Sequence, residues 1–171
     1  MTSPILLVEE LSPVEARIVS ESSTDGKSMW LNGVCMQSQI KNRNGRQYPI
    51  NEISAAVQAA SQRIKENNGI FGELDHPQDA KIHMDRISHL VTKAWMDGNK
   101  LYGQAEILDN QPHGACLRGL FERNCQVGIS SRGVGDMEMR ESAGKQHYIV
   151  LEGYQFVTWD SVAEPSVSAR P

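Results

Sequence analysis

The chain lacks most features that assign a protein at sight. It has three cysteines in 171 residues, Cys35, Cys116 and Cys125, and they are widely spaced. An odd, low count gives no disulfide framework and fits a reducing compartment. Aromatics are 6 % of the residues and the formal net charge is −4, so there is no basic footprint for a nucleic acid. Long apolar runs are missing too. Ile5-Leu6-Leu7-Val8 near the N-terminus is followed by two acids and is too short for the apolar part of a signal peptide. Nothing approaches the roughly 20 apolar residues of a membrane span. What remains is an ordinary globular composition, 39 % hydrophobic, that points to a cytoplasm-like location. The length suits one domain with a real core.

The pattern along the chain divides it into an N-terminal segment 1–27, a main domain 28–162 and an extended tail 163–171. Residues 5–8 suit a short strand, and residues 20–27 (SESSTDGK) read as a polar loop. Residues 29–39 read as a strand. A dense turn follows, in which Asn44-Gly45 favours positive φ and Pro49 discourages helix before it. Ile50, Ile53, Val57, Ala60 and Ile64 recur at spacings of three and four, which predicts a helix ended by Asn67-Asn68-Gly69. Residues 86–96 and 100–108 suit two strands joined by Asp97-Gly98-Asn99. Residues 112–123 suit a short helix with Ala115, Leu117, Leu120 and Phe121 inward. Residues 126–130, 134–140 and 147–161 suit further strands, with a turn at Ser142-Ala143-Gly144. Many strands with two helices predict an α+β domain on a mostly antiparallel sheet or barrel.

The chemistry concentrates in two places. Gly72-Glu73-Leu74-Asp75-His76-Pro77 holds a histidine whose backbone Pro77 restricts to extended conformations. Gly128-Ile129-Ser130-Ser131-Arg132-Gly133 offers two serines framed by glycines. A serine needs a base to take its proton and fixed donors for the oxyanion. On a strand Ser130 and Ser131 face opposite ways, so at most one can meet His76. The backbone N–H groups of Ser131, Arg132 and Gly133 are the nearest oxyanion donors; the Arg132 side chain reads equally as a plain surface group. Asp160, Asp75, Glu73, Asp136 and His147 are the candidates to orient the histidine. If the last strand is regular, Tyr154, Phe156, Thr158 and Asp160 share a buried face, and a buried Asp160 requires a partner. An Asp-His-Pro turn and a Ser-Ser pair also occur on plain surfaces. A rival reading is a metal site from Asp75, His76, His83, Asp85 and His89, but neither HxxxH nor HExxH is present.

With these residues in view the chain resembles the prohead proteases of T-even-type tailed phages. Four segments carry the resemblance in order: Asn42-Arg43-Asn44-Gly45-Arg46-Gln47-Tyr48-Pro49, the His76 motif, Val127-Gly128-Ile129-Ser130-Ser131-Arg132-Gly133-Val134-Gly135, and DSVAEPS from Asp160. The similarity extends over about residues 31–166. The resemblance implies His76 as base, Ser130 as nucleophile and Asp160 as the acid. Where the family often has Asn before the histidine, this chain has Asp75, which could raise the base's pKa or compete with Asp160. It implies a β-barrel-like core with surrounding helices, distantly like the herpesvirus capsid maturation proteases. It implies a serine endopeptidase without cofactor or metal, packaged inside the immature capsid in the host cytoplasm. Its substrates would be scaffold or core proteins and the major capsid protein, and then itself. Homo-oligomers, including rings, are expected, with no membrane or nucleic-acid partner. Cleavage follows glutamate with an aliphatic residue two positions earlier, a pattern this chain carries at Leu7-Val8-Glu9, Ile64-Lys65-Glu66 and Leu120-Phe121-Glu122. Only the first sits near a terminus, which makes Glu9–Glu10 the expected self-processing site. The competing readings are a non-catalytic capsid-core or scaffold protein that keeps the fold, and a metal-dependent hydrolase.

Overall fold

The structure, a computed structural model, describes residues 5–10, 19–22, 28–41 and 45–163. Part of the expected loop (23–27), the turn residues 42–44 and the tail from 164 onward lie outside the described residues. The elements in chain order are β1 (Ile5–Glu10), β2 (Val19–Ser22), β3 (Met29–Gln37), β4 (Arg46–Gln47), α1 (Ile50–Asn67), β5 (Ile70–Glu73), β6 (Ile87–Asp97), β7 (Lys100–Ile107), α2 (Pro112–Glu122), β8 (Val127–Gly135), β9 (Met137–Ser142), β10 (Lys145–Val150) and β11 (Gln155–Ala163).

The strands form three sheets. The largest runs β2-β3-β7-β6-β5, the second β1-β8-β11 and the third β4-β10-β9. All these pairings are antiparallel except β4 with β10. A parallel bridge from Leu74 to Ser161 joins the end of β5 to β11. The α+β, mostly antiparallel class is as expected. The described strands form open sheets and not a closed barrel.

Local chemistry accounts for the elements. α1 buries Ile53, Ala56, Val57 and Ala60 and packs on β6. It stops where expected, because Asn68 (φ 61°) and Gly69 (φ 138°) take left-handed conformations that other residues resist. Gly98 (φ 61°) turns β6 into β7, and Ala143 (φ 52°) and Gly144 (φ 76°) turn β9 into β10. Leu7, Ile53, Leu101, Ile107, Leu117, Val150 and Trp159 are almost wholly buried in one core.

Four expectations need correction. Residues 19–22 form β2 on the edge of the largest sheet, because pairing with β3 overrides a polar sequence. β8 runs unbroken through the serines to Gly135, where two separate strands were expected. The single strand expected over 147–161 is β10 and β11, separated by a turn at Gly153 (φ 97°). In α2 Leu117 is inward as expected and Leu120 and Phe121 are half-buried, but Ala115 is exposed. The inward position is Gly114, since a Cβ there would lie 1.7 Å from the Leu108 carbonyl oxygen. The backbone of α2 touches the segment after β7 so closely that only glycine fits. Gly114→Ala should therefore destabilise the fold by about 1–3 kcal/mol despite a better helix propensity. A lower denaturant midpoint with an unchanged slope is the expected reading.

Candidate active site

The site is built on the ladder between β8 and β11. Asp160 lies opposite Ser130, Trp159 opposite Ser131 and Thr158 opposite Arg132. Strand alternation puts Ser130, Arg132 and Asp160 on one face and Ser131, Gly133 and Trp159 on the other. The second face is core: Trp159 is 2 % exposed and its ring lies 4.2 Å from that of Phe156. The common face expected for Tyr154, Phe156, Thr158 and Asp160 does not exist. A register shift between Phe156 and Thr158 moves Phe156 to the core side and leaves Thr158 and Asp160 on the site side.

Asp160 is fully buried and closely bonded. Its carboxylate accepts from Arg132 Nε at 2.6 Å and Nη2 at 3.2 Å, and from the Glu73 backbone N–H at 3.1 Å. Oδ2 also lies 3.2 Å from His76 Nδ1. Burial pushes the carboxyl's pKa up, but the bonds from His76, Arg132 and Glu73 outweigh it and hold it below the ordinary value. The His76 side chain is 17 % exposed, with Nδ1 against Asp160 and Nε2 itself buried.

Arg132 is the residue that sequence reasoning undervalued. It is 0 % exposed, and all three guanidinium nitrogens donate. Nη2 reaches Glu73 Oε2 at 2.7 Å as well as Asp160. Nη1 donates to the carbonyls of Asp79 at 3.0 Å and Lys81 at 2.8 Å. One buried cation thus ties β8 to β11, to β5 and to the loop that follows His76. The available signal was its place two residues after Ser130, on the same strand face.

The histidine loop is pinned by its backbone. Leu74 N–H donates to Arg86 O, and Asp75 N–H to Ser161 O at 2.6 Å. Asp75 takes a left-handed conformation (φ 68°), which turns its exposed side chain back to accept from the His76 backbone N–H at 2.9 Å. Of the orienting candidates, Glu73 is buried on Arg132 and on His83 Nδ1 (3.1 Å). Asp136 lies between β8 and β9, and His147 lies on β10.

The residues of the rival metal reading face different partners. His83 bridges Glu73 and Asp79, and Asp85 is exposed. His89 is buried, with Nε2 donating to the Trp159 carbonyl at 2.8 Å, so Nδ1 accepts from Ser88 Oγ at 2.8 Å. Burial pushes the His89 pKa down, against the opposing pull of that carbonyl and of Asp160. Among the described residues no group of three or more His, Cys, Asp or Glu is placed to hold a metal. His89 also explains Gly72: a Cβ there would lie 2.0 Å from His89 Nε2 and 2.4 Å from Trp159 O.

The glycines around the serines serve packing. Neither Gly128 nor Gly133 has positive φ. A Cβ on Gly133 would lie 2.2 Å from the Tyr154 hydroxyl, so the bare backbone makes room for that ring. β8 is the middle strand, and its N–H groups alternate between neighbours. Ser161 O and Trp159 O point away from β8, towards Asp75 N–H and His89. Asp160 therefore exchanges backbone bonds with Ser130. It follows that the N–H groups of Ser131 and Gly133 face β1, and that of Arg132 faces β11.

The comparisons with known proteins agree with one another. The family described as prohead core protein serine protease matches residues 3–170. The prohead core protein protease of Enterobacteria phage T4 is 29 % identical over 178 residues, spanning 97 % of this chain and 82 % of the relative. The solved structure of the bacteriophage T4 capsid assembly protease superposes with a TM-score of 0.82 at 26 % identity, over 96 % of this chain and all of that one. The chain belongs to the prohead core protein serine protease family.

Two outcomes follow from the buried network. Arg132→Met leaves two buried carboxylates without their cation and should cost about 3–5 kcal/mol in unfolding free energy. Asp160 should make stability pH-dependent. Its folded-state pKa is lowered, so below the ordinary carboxylate range the unfolded chain binds more protons and stability falls with pH. Compared with Asp160→Asn, this contribution should be complete above about pH 4 and vanish as pH falls through the folded-state value.

Proposed function

We propose that this member of the prohead protease family is a serine endopeptidase of phage capsid maturation, with Ser130 as nucleophile, His76 as general base and acid, and Asp160 as its orienting partner. One observation carries the reading. Asp160 Oδ2 sits 3.2 Å from His76 Nδ1, on the strand face that also bears Ser130, directly across the ladder. A carboxylate held at a low pKa fixes the imidazole tautomer that bears its proton on Nδ1. Nε2 is then left as the base. Ser130 Oγ attacks the scissile carbonyl as His76 takes its proton. His76 then protonates the leaving amine, and a water completes hydrolysis by the same exchange. On this reading the backbone N–H groups of Ser131 and Gly133, on the side of β8 that faces β1, are the oxyanion donors. Arg132, expected as a third backbone donor, acts through its side chain as the group that positions Asp160. No cofactor enters this chemistry.

The wider reading follows from the relatives, whose names speak of prohead core and capsid assembly. The substrates are scaffold or core proteins and the major capsid protein, cut after glutamate with an aliphatic residue two positions earlier. The enzyme works inside the prohead in the host cytoplasm, as a homo-oligomer that could close into a ring. The three open sheets around a shared core belong, on this reading, to the same lineage as the herpesvirus capsid proteases.

Ser130→Ala should lower turnover of a Leu-X-Glu substrate by about 10⁴-fold or more while leaving Tm nearly unchanged. Ser131→Ala removes a core-facing hydroxyl and should retain most of the activity. Near-parental cleavage by Ser130→Ala would sink the assignment. Self-processing at Glu9–Glu10 should appear in the mass spectrum of incubated active protein as a species lacking the first nine residues. The Ser130→Ala protein should keep the longer N-terminus. Identical N-termini in both would count against that site.

A further inference from the structure

We propose that β9 is a self-association edge, on which a second copy of this chain lays its own β9 antiparallel about a two-fold axis at Met139. This gives the homo-oligomer of the proposed function one definite interface, and it rests on that part of the reading alone. The catalytic roles do not enter it.

The backbone of the β9–β10 hairpin shows which groups are offered. Among the described residues β9 is the outer strand of its sheet, and every residue in it after Met137 is exposed. Tyr148 N–H donates to Gly45 O at 2.7 Å, on the side of β10 away from β9. Leu151 N–H instead donates to Asp136 O at 2.9 Å. Tyr148 and its register partner Met139 therefore exchange no backbone bonds, whereas Arg140 with His147 and Glu138 with Ile149 do. The N–H and C=O groups of Met137, Met139 and Glu141 accordingly point away from β10, in the plane of the sheet. Such a row is a template for a further strand.

Charge selects the strand that fits it. With Met139 opposite the second copy's Met139, Glu138 faces the second copy's Arg140 and Arg140 faces the second copy's Glu138. No like charges stand directly across in that register. Every neighbouring register sets them across. An axis at Glu138, Arg140 or Glu141 opposes that residue to itself, and an axis at Met137 opposes Asp136 to Glu138. Opposite charges across a ladder stabilise it and like charges destabilise it. In the favoured register Met137 pairs with Glu141 and Met139 with itself, so about six backbone hydrogen bonds form.

The side chains agree with this pairing. Met139 and Tyr148 share a face of the hairpin, and both are exposed. About the axis the two methionines meet, with a tyrosine on each flank. On the other face Glu138 and Arg140 are exposed and lie 3.4 Å apart within one strand. Across the axis each gains an opposite charge from the second copy. A two-fold contact of this kind closes on itself, so it makes a dimer, and a ring would need a second surface.

Charge reversal tests the inference, read by sedimentation equilibrium of the full chain. The unaltered protein should self-associate with increasing concentration, since the contact is of the small, transient class. Glu138→Arg and Arg140→Glu should each weaken association by about tenfold or more. An equimolar mixture of the two should restore it, because the arginines of one then face the glutamates of the other. Association that neither reversal weakens overturns the inference and leaves the homo-oligomer standing. A protein that stays monomeric at every concentration removes both, and cleavage of the Leu-X-Glu substrate then still reads the protease separately. Disulfide trapping checks the axis in a Cys116→Ser/Cys125→Ser background. Met139→Cys should link two copies on mild oxidation, whereas Glu138→Cys, set off from its counterpart, lies beyond disulfide reach. Failure of Met139→Cys to link more readily than Glu138→Cys also overturns the inference.

Discussion

The buried guanidinium of Arg132 is the interaction on which the site depends. A cation taken wholly out of water loses a large hydration energy and is tolerated only when its donors are met. Here the partners come from three places: Asp160 on β11, Glu73 on β5, and the Asp79 and Lys81 carbonyls in the loop beyond His76. The planar fork of the guanidinium fixes directions as well as distances, so it sets the orientation of the acid and the course of the histidine loop together. A lysine at this position would supply charge without that geometry. The conformation of the loop is thus determined by a residue on the serine's own strand.

Strand geometry determines the rest. With Ser130 and Arg132 two residues apart, they share a face, and the ladder puts Asp160 on the same side. The irregularity at Val157 lets β11 present Phe156 and Trp159 to the core while Thr158 and Asp160 face the site. A regular strand would set these demands against each other, because one alternation cannot place all four residues correctly. Behind this face, Gly72 admits His89 against the Trp159 carbonyl, which fixes the outer edge of β11 at the residue before Asp160.

Much of this was legible in the sequence, and for identifiable reasons. α1 announced itself by a 3.6-residue stripe and an Asn-Asn-Gly end. The β6–β7 hairpin announced itself by Asp-Gly-Asn. Alternation put Ser130 and Ser131 on opposite faces, whereas the burial of Asp160 was expected from a regular strand that the shift between Phe156 and Thr158 interrupts. What was not legible depended on contacts distant in sequence. Arg132 reads as an exposed residue because charge normally stays in water, and only the meeting of Glu73 with Asp160 reverses that. The split of β10 from β11 and the inward Gly114 depend on neighbours no local pattern encodes. The glycines framing the serines take no positive φ, and Gly133 makes room for the Tyr154 ring.

The site therefore joins two parts of different stiffness. Asp160 is held by a buried, multiply bonded network with Arg132 and Glu73, and the His76 ring lies against it, so the carboxylate's geometry changes only if several partners leave together. The β8 edge beside Ser130 is held closed by a single strand ladder, with Leu7 as its deeply buried anchor. Local opening free energies follow the number and burial of such contacts, so the edge opens more readily than the network loosens.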